Sequence, residues 1–160
     1  MSSLATDTEV IHNVIRNLLQ SVIKNSKGVE SADFEAFRFY SEQTAHFIHH
    51  HHSNEDDVIF KAFLKYSEGK EVNEAVKAHV AKLSSEHREL DSLLGQLDAV
   101  VAEKPPTQEG VSKMGDLAQQ IFDFLNPHLL YEETELNGQF LERFLSPEDC
   151  AIINKDVRTL

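Results

Sequence analysis

Ile48-His49-His50-His51-His52-Ser53-Asn54-Glu55-Asp56-Asp57-Val58-Ile59 is the run on which the reading of this chain turns. Four consecutive histidines in mid-chain are not a purification tag, because a helical pattern continues on both sides of them. A helix brings residues i, i+3, i+4 and i+7 to one side, so each histidine can be sorted by its neighbours at that spacing. His51 has Tyr40, Thr44, Phe47 and Ile48 before it and Glu55, Val58, Ile59 and Ala62 after it, which is the apolar stripe. Glu55 falls one turn further on, about 6 Å up the axis. His52 groups with Ser41, Ala45, Ile48, Asp56 and Ile59, a more mixed face. His49 and His50 group with His46, Ser53, Asn54 and Asp57, the solvent side. His51 and Glu55 are therefore expected inward, and His46, His49 and His50 outward.

The same pattern recurs in three other segments. His87 is flanked by Val76, Val80 and Leu83, then by Leu90, Leu94 and Leu97, so its polar ring needs a partner from another helix. His79 lies two turns from His87, about 12 Å along the axis, too far to share one ion. His128 follows Leu117, Ile121, Phe124 and Leu125 and precedes Glu132 and Leu136, again with a carboxylate four residues on. His12 borders the stripe of Ile15 and Leu19. Each of four helices thus offers one inward histidine, and the second and fourth each add a glutamate.

Periodicity predicts the helices themselves. The first opens at Thr6-Asp7-Thr8-Glu9, read as a capping box, and closes at Lys27-Gly28. The second runs from Ser31–Asp33 to about Tyr66, with Gly69 ending it. The third runs from about Val72 to Val101, before Pro105-Pro106. The fourth starts between Thr107 and Ser112 and reaches Leu136, carrying Pro127, where it either kinks or restarts with Asn126 as cap. Ser146-Pro147-Glu148 signals a short C-terminal helix over about 147–156. Short connections predict an all-α, antiparallel up-down-up-down four-helix bundle, one domain over 1–160 with its core about 7–137.

Two carboxylates and four imidazoles in an apolar interior would each cost several kcal/mol if unpaired. A lone inward histidine is more often a hydrogen-bonded core residue, and a single His-x-x-x-Glu says little. Six such residues on core faces of four successive helices point to metal. In each His-x-x-x-Glu the histidine can cap one ion while the glutamate leans toward a second, about 4 Å away or less. Imidazole-rich sets suit iron, zinc or copper alike. The ferritin-like Glu-x-x-His pair occurs only at Glu9–His12 and is disfavoured.

Composition narrows the partners. A formal charge of −12 argues against nucleic acid and anionic membrane surfaces, which require basic patches. No apolar run approaches the length of a membrane span. Met1–Val10 carries no basic stretch followed by an apolar core, and the lone Cys150 suits a reducing compartment, so a cytoplasmic location is expected. The excess is histidine, nine of them in a chain without tryptophan.

The chain resembles the hemerythrin-like family, the HHE cation-binding domain, over nearly its whole length. The resemblance rests on Glu9-Val-Ile-His12, His51-His52-Ser-Asn-Glu55-Asp56-Asp57-Val-Ile-Phe60, Glu86-His87-Arg-Glu-Leu90 and His128-Leu-Leu-Tyr-Glu132-Glu133. It implies two iron ions in an oxo- or hydroxo-bridged non-haem di-iron centre. His12, His51, His87 and His128 would be terminal ligands, Glu55 and Glu132 bridges, and a diatomic or peroxide ligand would take an open position. Oxygen-carrying hemerythrins place two histidines one turn apart on the third helix, whereas the residue one turn before His87 is Leu83. Four histidines and two bridging glutamates give about eight donor atoms, which leaves roughly one open position on each ion. Such a site is expected to react with dioxygen, nitric oxide or peroxide rather than store it. It is similar to di-iron proteins implicated in nitric oxide response and repair of iron–sulfur centres. The alternative is a non-enzymatic iron or oxygen sensor or storage module whose stability follows metal occupancy. Whether Glu9 or Glu133 joins the site is open at this level.

Overall fold

The computed structural model describes residues 3–157. All its regular elements are helical: α1 (Ser3–Asn25), a 3₁₀ turn (Ser31–Asp33), α2 (Phe34–Asn54), a π-helical turn (Glu55–Ile59), α3 (Phe60–Ser67), α4 (Asn73–Ala102), α5 (Gln108–Glu135), α6 (Gly138–Leu141) and α7 (Pro147–Val157). The arrangement is consistent with a helical bundle. Among the described residues there is no strand, and no helix is long and apolar enough to cross a membrane.

Local chemistry accounts for most boundaries. After α2 and α3 the chain turns at Gly69, whose φ of +73° lies in the left-handed region that favours glycine. The Thr107 hydroxyl oxygen accepts the Gly110 amide at the start of α5. At α7 the Ser146 hydroxyl accepts the Asp149 amide, and the Asp149 carboxylate accepts the Ser146 amide in return. The short α6 was not anticipated; Asn137 caps it by accepting from the Phe140 amide. Thr6–Glu9 is not the start of α1, because the helix already begins at Ser3 and Thr8 donates back to the Leu4 carbonyl. α5 runs unbroken through Pro127, and Asn126 accepts from Arg16 Nε instead of capping a new segment.

The chain divides into two compact units. One comprises the residues up to His12, His50–His87 and those from His128 onward; the other comprises Asn13–His49 and Arg88–Pro127. In the first unit Leu4, Phe60, Phe63, Leu83, Leu136 and Leu141 belong to one buried apolar cluster that extends to Phe144, Cys150 and Ile153. Each such side chain contributes about 1.5–3 kcal/mol by leaving water. In the second unit Ile15, Leu19, Ile48, Leu94, Leu97 and Ile121 are fully buried. There the Arg38 guanidinium, also buried, donates to the Val101 carbonyl near the end of α4.

The π-helical turn corrects the expected stripe. Val58, Ile59 and Ala62 of that stripe are only half-buried, while Phe60, Phe63 and Ser67 are buried. A π turn inserts an extra residue into the helical repeat. The inward position after Glu55 therefore comes five residues later, at Phe60, rather than four.

Candidate metal centre

All six residues anticipated from the sequence lie in the first unit, and the structure brings them together. His12 is fully buried; Glu55, His87, His128 and Glu132 are nearly so, and the His51 side chain is 10% exposed. A seventh residue joins them. His52 is 4% exposed, so its expected mixed face is in fact inward. The inward face of α2 is two columns wide: Thr44, Ile48, His51 and Glu55 form one, and Ser41, Ala45 and Ile48 lead to His52 in the other. Ser41 makes that second column mixed, yet it is fully buried, with its hydroxyl satisfied by donating to the Phe37 carbonyl. Asp56, the other polar member, serves the site itself. Ile48 and Ala45, one and two turns before His52, are the signal that could have found it.

The seven side chains form two four-ligand groups with Glu55 common to both. His52, Glu55, His87 and His128 make one, and His12, His51, Glu55 and Glu132 the other; within each, one ligand atom per residue lies within 4.8 Å of the rest. His12 Nε2 is 3.2 Å from Glu132 Oε2, and His128 Nε2 is 3.5 Å from Glu132 Oε1. His51 Nε2 is 3.3 Å from Glu55 Oε1, and His87 Nε2 is 3.5 Å from Glu55 Oε2. These approaches lack hydrogen-bond geometry: His12 Nε2, His51 Nε2, both ring nitrogens of His52, Glu55 Oε2 and both Glu132 oxygens are buried without a hydrogen-bond partner. Buried polar atoms are ordinarily satisfied. Lone pairs that converge without donors between them are what a cation requires, so the donor set fits one or two metal ions.

The outer ring nitrogens fix the inner ones. His12 Nδ1 meets Glu133 Oε1 at 2.9 Å, His87 Nδ1 meets Asp56 Oδ2 at 2.9 Å, and His128 Nδ1 meets Glu86 Oε2 at 2.8 Å. Each Nδ1–H donates to a carboxylate, leaving Nε2 as the inward acceptor, the usual support of a metal-bound imidazole. Ser84 holds Asp56 and Lys82 holds Glu86 from behind. Glu133 thus supports His12 rather than joining the inner set, and Glu9 is exposed. His52 stacks on His87 with ring centroids 4.3 Å apart. His79, set aside on distance, is hydrogen-bonded to the Tyr131 hydroxyl at 2.7 Å. His46 and His50 are exposed, and His49 is half-exposed beside Asp98, as their face predicted.

Electrostatics favour the ligand forms. Burial pushes His51 down to about 3 against the pull of Glu132, with His12, His87 and His128 adding to the depression. Burial also holds His52 well below the ordinary imidazole range, and lowers His128 against the pull of Glu132 and Glu86. Without ions, burial followed by the charges of Glu132 and Asp56 raises Glu55 well above a normal carboxyl. Burial would raise Glu132 too, but the His12 contact and the charges of His128, His12 and His51 bring it below its usual value. Neutral imidazoles beside carboxylates that repel each other are the arrangement a divalent or trivalent cation stabilises.

No curated protein and no solved structure matches the chain. The family model described as the Hemerythrin HHE cation binding domain matches residues 6–140, which include every one of the seven converging residues. With the donor set and the match in agreement, this chain belongs to the hemerythrin HHE cation-binding domain family.

Proposed function

We propose that the protein holds two iron ions in an up-down-up-down four-helix bundle and binds one small oxidant, dioxygen in the first instance, at a single open position. The observation that carries this reading is the seventh residue, His52. Five imidazoles and two bridging carboxylates give about nine donors. Two six-coordinate ions that share one further bridging ligand then keep about one position open between them. The group of His52, His87 and His128 has three imidazoles, whereas that of His12 and His51 has two, so an open position would fall to an ion held by the latter. With His52 outside the set, two open positions had favoured reaction over storage; with it inside, reversible binding is favoured.

When bound, the irons supply the electrons that a small oxidant accepts. The chain's own residues do the rest. Glu133, Asp56 and Glu86 each hold one imidazole in the tautomer that presents Nε2 inward. Glu55 and Glu132 each turn both oxygens toward inward Nε2 atoms, Glu55 to His51 and His87 and Glu132 to His12 and His128. Phe60 stacks on His87, with centroids 5.8 Å apart, and belongs to the buried apolar cluster of this unit.

Metal quantitation with an optical spectrum of the oxidised protein, before and after azide, tests the proposal. About two irons per chain and a single azide-sensitive charge-transfer band are expected. No bound iron, or two azides per pair, overturns it. A sensing or storage role within a cytoplasmic setting is the companion reading, supported by the uncompensated burial of Glu55 and Glu132 once ions leave.

A further inference from the structure

Beside the candidate centre the first unit contains a cavity of about 50 Å³. Glu55 and Glu132 line it, so it reaches the two carboxylates shared with the imidazoles. Its walls are otherwise mostly apolar, with Leu4 and Ala5 from the start of α1, Phe60 and Phe63 beyond the π turn, and Leu136 and Leu141 near α6. The polar remainder is Thr8, Glu9, Glu133 and Asn137. The lining residues include no lysine, arginine or histidine.

We infer that this cavity is the ligand's route to the centre and that it discriminates by charge, admitting small uncharged molecules and slowing anions. The inference rests on the two-iron reading for its ligand but on the cavity alone for its route. The volume is that of a site for a diatomic or triatomic molecule and far below that of a drug-sized ligand. Aliphatic and aromatic walls leave an apolar gas nothing to displace but poorly held solvent. An anion meets the opposite situation. Bound cations would offset Glu55 and Glu132, and Glu133 is engaged with His12, but Glu9 stands exposed at the lining with no cationic side chain among its co-liners. Like charges in a low-dielectric cleft repel over the distances such a cavity spans. The π turn and the residues that follow it form one wall of the space. By carrying the inward phase from Glu55 to Phe60 the turn leaves Ile59 half-buried along the same wall.

Two variants separate route from selection. Ala5→Phe should fill the cavity, and Glu9→Gln should remove the exposed charge while leaving the space. Xenon binding, followed by crystallography under pressure or by xenon chemical shift, reads the cavity without any metal. One xenon is expected in the wild type and none in Ala5→Phe; a wild type that takes no xenon there overturns the route. On iron-loaded protein of verified metal content, stopped-flow association of nitric oxide should slow at least tenfold in Ala5→Phe. Azide association should quicken about fivefold in Glu9→Gln at low salt, with nitric oxide unchanged within twofold. An unchanged nitric oxide rate in the filled variant overturns the route, and equal quickening of both ligands overturns the charge selection. If Ala5→Phe does not fold, Thr8→Phe carries the same two readouts. Should the wild type hold no iron, the proposed function falls, while xenon still decides the cavity.

Discussion

His87 Nε2 and His128 Nε2 face each other at 3.1 Å while the Nδ1 of each ring is committed to its own carboxylate, Asp56 and Glu86. With both Nδ1 atoms donating, two acceptor lone pairs meet head-on unless a proton or a cation stands between them. Burial, which lowers His128, works against the proton. The contact is therefore a direct reason to expect metal at this point, and several consequences can be measured.

Loss of metal should loosen the protein. Ions that bind only the folded chain at a thousandfold excess over their dissociation constant contribute about 4 kcal/mol. For a chain of this size that is a fall of roughly 10 °C in Tm on chelation. Calorimetry of the loaded and chelated forms checks it, and coincident midpoints would remove both the occupancy-dependent stability and the sensor reading.

His52 and His79 should behave as opposites. His52→Ala is expected to lower bound metal by about one ion per chain, since it removes one of three imidazoles from its group. His79→Ala removes only the partner of Tyr131 and should leave the metal content intact. Equal metal loss in both would place the disturbance in the fold rather than in the ligand set.

The outer carboxylates should matter without touching metal. Asp56→Asn and Glu86→Gln replace the acceptors of His87 and His128 by groups that hold the tautomer less firmly. Metal affinity is expected to fall about 10- to 100-fold, with helicity unchanged by circular dichroism. Affinity within twofold of the wild type in both variants would deny them a positioning role.

The metal-free protein should weaken in acid. His51, His52 and His128 have folded values below their unfolded ones, so the unfolded chain binds more protons between about 6.5 and the lowered values. Their stabilising effect is complete above about 6.5 and is lost as pH falls, for His51 down to about 3. Glu55, raised by burial, acts in the opposite sense but is a single group. Urea midpoints of the chelated protein should therefore be lower at pH 5 than at pH 7, and a flat or reversed trend would contradict the burial of neutral imidazoles.

Gly115 should tolerate no side chain. A Cβ there would overlap Ser26 Oγ and lie 2.5 Å from Ser26 Cβ, within the second unit, so backbone rather than a side-chain tip must shift. Gly115→Ala is expected to destabilise by about 1–3 kcal/mol. A variant as stable as the wild type would mean that Ser26 moves away at no cost.

The helical class, the extent of the long helices and six of the seven converging residues were legible because both signals are local. The 3.6-residue repeat places His51, His87 and His128 on apolar faces whatever the partner helix is, and a carboxylate one turn on shares that face. His52 stays ambiguous in the sequence because its face mixes the polar Ser41 and Asp56 with Ala45, Ile48 and Ile59. Ser41 satisfies its hydroxyl within its own helix and Asp56 satisfies His87, and neither partnership can be seen from spacing along one helix. The short α6 escaped for a related reason: its cap is a single asparagine, and four residues carry no periodicity.

Periodicity along the chain was enough to gather histidines and glutamates fit to hold a cation, because exposing or burying a residue on a helix depends on neighbours three and four positions away. The π turn, the carboxylates behind His12, His87 and His128, and the cavity over Glu55 and Glu132 came only from three dimensions. Each is a relation between atoms distant in sequence or a change of helical pitch, and no pattern of residue types specifies where such atoms meet.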